Sequence, residues 1–132
     1  MAQSRSIEGM AEAFEQFRKA GVRSAAALLE AGATVEGRKD LASRTGVSDE
    51  VVRQCIHAAD LRRIRGITEQ RAELLELAGV ESVPALAHRN AAHLRAALTT
   101  ANQRRSLVRD IPSEPTLAHW IEDAKALPAV VH

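Results

Sequence analysis

Apolar residues recur along this chain at intervals of three and four, in short stretches separated by Gly, Ser, Thr or Pro, without the strict alternation a half-buried strand needs. The clearest stripe is Val52, Cys55, Ile56 and Ala59, whose i, i+3, i+4, i+7 spacing predicts one buried helix face. That helix should start after Ser48 and reach Ile64. Met10, Phe14 and Phe17 predict an earlier helix over 11–20, ended by Gly21. Ser24 is placed to cap a short helix to Glu30, stopped by Gly32, and Thr34 to cap one to Thr45, with Gly46 just past its end. Thr68 opens a helix ending at Gly79, Ser82 with Pro84 a short one, and Asn90 one through Thr100. Residues 102–109 are expected to be helical again. Ser113 with Pro115 starts a last helix whose face is Leu117, Trp120, Ile121 and Ala124, and Pro128 prevents its continuation. The expected fold class is all-α, a compact array of short helices.

One pattern occurs twice. Ile7-Glu8-Gly9-Met10 leads through a helix to Ala20-Gly21-Val22-Arg23-Ser24 and Leu28, and Ile64-Arg65-Gly66-Ile67 leads to Ala78-Gly79-Val80-Glu81-Ser82 and Leu86. The copies lie about 57 residues apart, and the first is one residue shorter between its opening glycine and its Ala-Gly-Val stop. A duplicated unit explains this better than chance. The expected organisation is a single domain over 1–132, with repeat-like halves over 7–32 and 64–90. A helical hairpin over 34–63 joins them, and C-terminal helices over 91–127 follow.

Composition narrows the class. At 132 residues the chain can bury a core without disulfides or metals. The apolar set is mostly Ala, Leu and Val, aromatics are confined to Phe14, Phe17 and Trp120, and small side chains suit closely packed short helices. The lone Cys55 excludes an internal disulfide. Met1 to Ile7 is polar, unlike a signal peptide, and no apolar run nears the roughly 20 residues that span a bilayer. A cytoplasmic protein with no membrane association is expected.

The net charge is +1, but it is unevenly spread. Val83 to Arg109 holds Arg89, Arg95, Arg104, Arg105 and Arg109 with no acid, while Gly66 to Ser82 and the stretch from Asp110 onward each carry −3. A basic segment between acidic ones is either a phosphate-facing surface or an internally matched one.

The openings Ile7-x-Gly9-Met10 and Ile64-x-Gly66-Ile67, each leading into a helix, resemble the hairpin of helix–hairpin–helix domains. Thr34-x-x-Gly37-Arg38-x-x-Leu41-Ala42-x-x-Thr45-Gly46-Val47-Ser48 and Ala59-Asp60-Leu61-x-Arg63-Ile64-x-Gly66-Ile67 extend the likeness. So do Leu107-Val108-Arg109-x-x-Pro112-Ser113, Trp120-Ile121, Ala124-Lys125 and Leu127-Pro128. Together they look like an uncharacterised bacterial family of tandem helix–hairpin–helix domains, domain of unknown function 4332. The resemblance covers nearly the whole chain and implies duplicated helix–hairpin–helix units. It implies a fold more firmly than an activity.

DNA-binding members of that superfamily read apolar–x–Gly–apolar–Gly with a basic residue soon after. The second glycine lets backbone N–H groups at a helix start close on a phosphate. This sequence departs from the pattern each time: Gly9-Met10 is followed by Ala11-Glu12-Ala13, Gly46-Val47 by Ser48-Asp49-Glu50, and Gly66-Ile67 by Thr68-Glu69-Gln70. Ser48 and Thr68 would cap their own helices, and the acids would repel a phosphate there. Gly9, Met10, Gly46, Val47, Gly66 and Ile67 therefore read as structural turns. If nucleic acid is bound, Arg62, Arg63, Arg65, Arg95, Arg104, Arg105 and Arg109 are the candidates.

Nothing asks for an enzyme, a metal or a cofactor. His88 and His93 are five apart, wrong for one helix face, and Cys55 sits on an apolar stripe. Trp120 is either core or an anchor for a partner, because Trp is enriched at binding hot spots. The expectation is a non-catalytic module that acts as a protein-interaction scaffold or adaptor. The alternative is sequence-nonspecific DNA binding through an arginine-rich face. No small-molecule substrate is implied.

Overall fold

The structure, a computed structural model, describes residues 2–132, with side chains from Met10 onward. Among the described residues it is all-helical, with eight helices and no strand: α1 (Ala2–Lys19), α2 (Ala25–Ala31), α3 (Val35–Thr45), α4 (Asp49–Leu61), α5 (Glu69–Leu77), α6 (Val83–Ala87), α7 (Ala91–Arg104) and α8 (Glu114–Ala126). Contacts cluster into two compact units, Met1–Asp60 with Ala129–His132, and Leu61–Pro128. The division falls at the end of α4, inside the helical hairpin expected over 34–63.

In the first unit the stripe of α1 is Met10, Ala13 and Phe17, all buried, with the rings of Phe14 and Phe17 edge to face at 6.3 Å. Helices α2 and α3 pack on each other. Gly32, at the end of α2, lies so close to the Ile56 side chain of α4 that a methyl group there would overlap it. Val52, Cys55, Ile56 and Ala59 are buried, as their spacing predicts. Helix α4 ends at Leu61, three residues sooner than expected, and the chain then turns.

The second unit is built on α8, whose Leu117, Trp120, Ile121 and Ala124 are buried and which packs against α6 and α7, while α7 also packs against α5. Leu94, Leu98 and Ala101 form the buried stripe of α7.

Caps account for the starts of seven helices. Side chains of Ser24, Thr34, Ser48, Thr68, Ser82, Asn90 and Ser113 each accept a hydrogen bond from the backbone N–H three residues on. The two Ala-Gly-Val stops are alike in detail. Gly21 (φ +92°) and Gly79 (φ +96°) take the left-handed conformation that side chains resist. The Val22 and Val80 N–H groups then reach back five residues, to the Phe17 and Leu75 carbonyls, each at 2.8 Å.

Two expectations are corrected. The turn at Gly9-Met10 does not form, because both residues lie within α1, which begins nine residues earlier than the predicted helix. A single glycine costs a helix only about 1 kcal/mol, and the Met10, Ala13, Phe17 stripe with Ala11 and Glu12 continues the helix through it. The separate helix over 102–109 is also absent: α7 runs on to Arg104, and the chain beyond is irregular. Asn102 is the cause. Its Oδ1 accepts from the Leu107 and Val108 N–H groups at 2.9 and 3.1 Å, and its Nδ2 donates to the Val108 carbonyl at 3.0 Å. One side chain thus folds the following residues back as a local turn.

Asn102→Ala should therefore destabilise the fold by about 1–3 kcal/mol, since it leaves partly buried backbone groups without partners. Asn102→Asp keeps the acceptor and should cost less. Urea denaturation of both variants checks the order, and equal losses would deny the amide its role.

Candidate functional site

Two of the three expected turns are present. At the first, Gly46 (φ +76°) ends α3, its N–H donating to the Ala42 carbonyl at 2.9 Å, and the Val47 N–H donates to Thr45 Oγ1. Ser48 Oγ then accepts the Val51 N–H at 3.2 Å. At the second, the Ile67 N–H closes on the Ile64 carbonyl at 3.1 Å, with Gly66 at φ +98° and Ile64 and Ile67 buried. Thr68 Oγ1 accepts the Arg71 N–H at 3.3 Å.

Both helix starts thus carry a side-chain oxygen on an amide that a phosphate would otherwise use, followed by Asp49 and Glu50 in α4 and Glu69 in α5. Glu50 is further held in its charged form by the Arg53 guanidinium hydrogen-bonded to it. Glu12, expected at a helix start, lies well inside α1.

The Gly66 turn is gripped from two sides. Arg71 Nη1 donates to the Gly66 carbonyl at 2.6 Å, and its guanidinium lies 5.9 Å from the Trp120 ring centroid. Trp120 itself is only 3% exposed, and a Cβ on Gly66 would come within 3.1 Å of its Nε1. Glycine is required here twice over, for its conformation and for the indole pressed against it. The reading of Trp120 as a partner-facing anchor is corrected: the ring is filled in by its own chain and presents no surface to a partner. Arg71 was absent from the sequence candidates. It is turned back onto its own turn.

The candidate arginines divide into two sets. Arg63 Nη2 donates to the Pro128 carbonyl at 3.0 Å, Arg95 Nε to the Pro112 carbonyl at 3.2 Å, and Arg104 Nη2 to the Leu77 carbonyl at the end of α5 at 3.3 Å. Arg105 acts electrostatically on Glu73. Arg62, Arg65 and Arg109 are exposed, and no side-chain partner for them occurs among the described residues. At about 100° per residue, Arg95 and Arg104 stand roughly 180° apart around α7. They flank its buried stripe on opposite sides, one tied to the segment before α8 and the other to α5. Two of the five arginines of the basic segment are therefore fitted to carbonyls of their own fold, and the segment is not gathered on one helix face.

Glu73 is the acid this arrangement leaves under strain. Its half-burial and the neighbouring Glu69 push its pKa up, and Arg105 offsets this only in part. Among the described residues no group of His, Cys, Asp and Glu is disposed to hold a metal ion, and no helix is long and apolar enough to cross a membrane.

Trp120→Ala should cost about 3–5 kcal/mol, as expected for a large aromatic lost from a packed site. Arg71→Ala should cost about 1–3 kcal/mol, through the Gly66 carbonyl. Urea midpoints measure both, and a neutral Trp120→Ala would contradict the packing described. Because the folded pKa of Glu73 is raised, its contribution to stability is full at low pH and is lost as pH rises through that value. Glu73→Gln should therefore gain stability relative to the parent at pH 7 but not at pH 4. A difference independent of pH would refute this.

Comparison with known proteins adds one match. No curated protein and no solved structure matches the chain. A family model described as a domain of unknown function, DUF4332, matches residues 8–127, which include all eight helices except the start of α1. The chain, with its two turns, its self-capped helix starts and its carbonyl-bound arginines, belongs to the DUF4332 family.

Proposed function

We propose that this protein is a non-catalytic helix–hairpin–helix module that serves as a protein-interaction scaffold or adaptor in the bacterial cytoplasm. The observation that carries the reading is the fate of the amides at the two turns. Ser48 and Thr68 each take one of them, the Val51 and Arg71 N–H groups, and Asp49, Glu50 and Glu69 place negative charge at the same helix starts. A hairpin of this kind offers a phosphate fewer free donors and a weaker field. The Gly66 turn between α4 and α5, stiffened by Arg71 and Trp120, supports a role as a rigid scaffold element. The resemblance between the two Ala-Gly-Val stops supports the duplicated-unit reading.

A second reading, sequence-nonspecific DNA binding, has one observation in its favour: Arg62, Arg65 and Arg109 are exposed and uncommitted among the described residues. The adaptor reading is preferred because non-specific affinity depends on many phosphate contacts at once, and most candidate arginines are directed elsewhere.

Fluorescence anisotropy with a labelled duplex tests the choice, run as a salt titration beside a crosslinking pull-down. The expected result is no saturable DNA binding below ~10 μM protein at ~150 mM salt, with a crosslinked protein partner recovered. Micromolar binding that falls steeply with salt and disappears in an Arg62→Glu/Arg65→Glu/Arg109→Glu variant would replace the adaptor reading with the DNA one.

A further inference from the structure

The last residues of the chain form part of the first unit without belonging to a helix. After α8 the backbone is extended at Leu127, and Ala129–His132 groups with residues 1–60. Two hydrogen bonds seat this segment. The His132 N–H donates to the Ala33 carbonyl at 2.7 Å, and Arg38 Nη2 donates to the His132 backbone oxygen at 2.7 Å. Arg38 Nη1 simultaneously donates to the Gly32 carbonyl at 2.8 Å. One guanidinium thus bridges main-chain oxygens from two segments 100 residues apart in sequence (Gly32 and His132). Val130 and Val131 are half-buried, while Ala129 and His132 are exposed.

The receiving ledge is prepared by its own unit. Gly32 is wedged against Ile56, and Thr34 caps α3 through the Gly37 N–H at 3.0 Å. Gly32, Ala33 and Thr34 are therefore fixed from both sides, and Arg38 stands one turn into α3. The ledge's contacts to the segment at Ala33 and Arg38 are all made to main-chain atoms of His132, so they do not depend on which side chain stands there. Recognition of extended peptides works in the same way, with backbone hydrogen bonds supplying affinity and apolar side chains supplying selectivity.

We propose that the ledge of Gly32, Ala33 and Arg38 is a docking site for an extended apolar segment of a protein partner, which the chain's own Ala129–His132 fills in this structure. The partner segment has the chemistry of the one now seated: an extended backbone, two β-branched apolar residues, then a free N–H and a backbone oxygen one residue on. The seated segment acts as a competitor in cis, at an effective concentration of order millimolar, so a partner gains access only when the segment leaves. This rests on the protein-interaction reading above and names the partner's chemistry.

The probe is a fluorescein-labelled Leu-Pro-Ala-Val-Val-His peptide with an amidated end, titrated into the full chain and followed by anisotropy. In the Val130→Asp/Val131→Asp variant of the same chain, whose own segment no longer seats, the peptide should bind at least ~10-fold more tightly than in the parent. Arg38→Ala should abolish binding, and Arg38→Lys, which cannot bridge both oxygens, should restore it only in part. Circular dichroism confirms that each variant is folded. Should the double variant not fold, unlabelled peptide added in excess to the ¹⁵N-labelled parent should move the amide signals of residues 130–132 to their free-peptide positions. No saturable binding, no such displacement, or binding indifferent to Arg38 overturns the proposal. A concentration-dependent dimer of the parent that Arg38→Ala dissolves would assign the ledge to a second copy and overturn it as well. Peptide binding together with DNA binding would end the adaptor reading while leaving the ledge standing.

Discussion

Short helices create a problem that long ones dilute. Each helix leaves four N–H groups at its start and four carbonyls at its end without intrahelical partners. In a chain whose helices run from 5 to 18 residues, that debt falls on a large share of the backbone. The structure meets it with a consistent division of labour. Ser, Thr and Asn side chains take amides at helix starts, and glycines in left-handed conformation or arginine side chains take carbonyls at the ends. At the turns before α4 and α5 the same requirement places Ser48 and Thr68 on the Val51 and Arg71 N–H groups.

The arginines show how far the requirement reaches. A basic stretch such as Val83 to Arg109 invites a search for an anionic partner, yet Arg95 and Arg104 leave α7 on opposite sides to hold backbone oxygens of neighbouring elements. Arginine suits this because its planar fork offers five donors and stays charged, so it can serve a carbonyl and an aromatic face together, as Arg71 does with Gly66 and Trp120. Arg38 carries the same use further by holding two main-chain oxygens with one side chain. In Arg38, Arg63, Arg71, Arg95 and Arg104 the guanidinium serves to fasten backbone oxygens.

What could be read from the letters was local. Each cap lies three residues from the amide it serves, so Ser24, Thr34, Ser48, Thr68, Ser82, Asn90 and Ser113 could be named without knowing the fold. The stripes of α4 and α8 were legible for the same reason, since helical periodicity is fixed by the backbone. The irregular stretch after α7 was not anticipated although its signal is also local, because a further helix was expected from Asn102, whose side chain instead folds the next residues into a turn. Other features depended on distance. Whether Trp120 faced a core or a partner turned on Gly66, 54 residues away, and nothing in either neighbourhood records the contact. The bond between Arg38 and His132 spans 94 residues and leaves no trace in the pattern. Three of the candidate arginines could not be sorted from the rest for the same reason: exposure is a property of the assembled fold.

The two related segments explain why one turn formed and the other did not. Setting Gly9 against Gly66 pairs Met10 with Ile67, and setting Gly21 against Gly79 pairs Ala13 with Arg71; between them the first segment is one residue shorter, and Met10 is followed by Ala11 where Ile67 is followed by the capping Thr68. The first segment thus lacks the capping side chain that starts α5, and Ala13 in place of Arg71 removes the guanidinium that clasps the Gly66 carbonyl. With neither a cap to begin a new helix nor a clasp to hold the turn, the backbone around Gly9 keeps its helical hydrogen bonds, and α1 continues. The downstream half of each segment, where Ala-Gly-Val and the capping serine are both retained, keeps the same geometry in the two places. A glycine permits a turn; at Gly66 a cap and a clasp hold it.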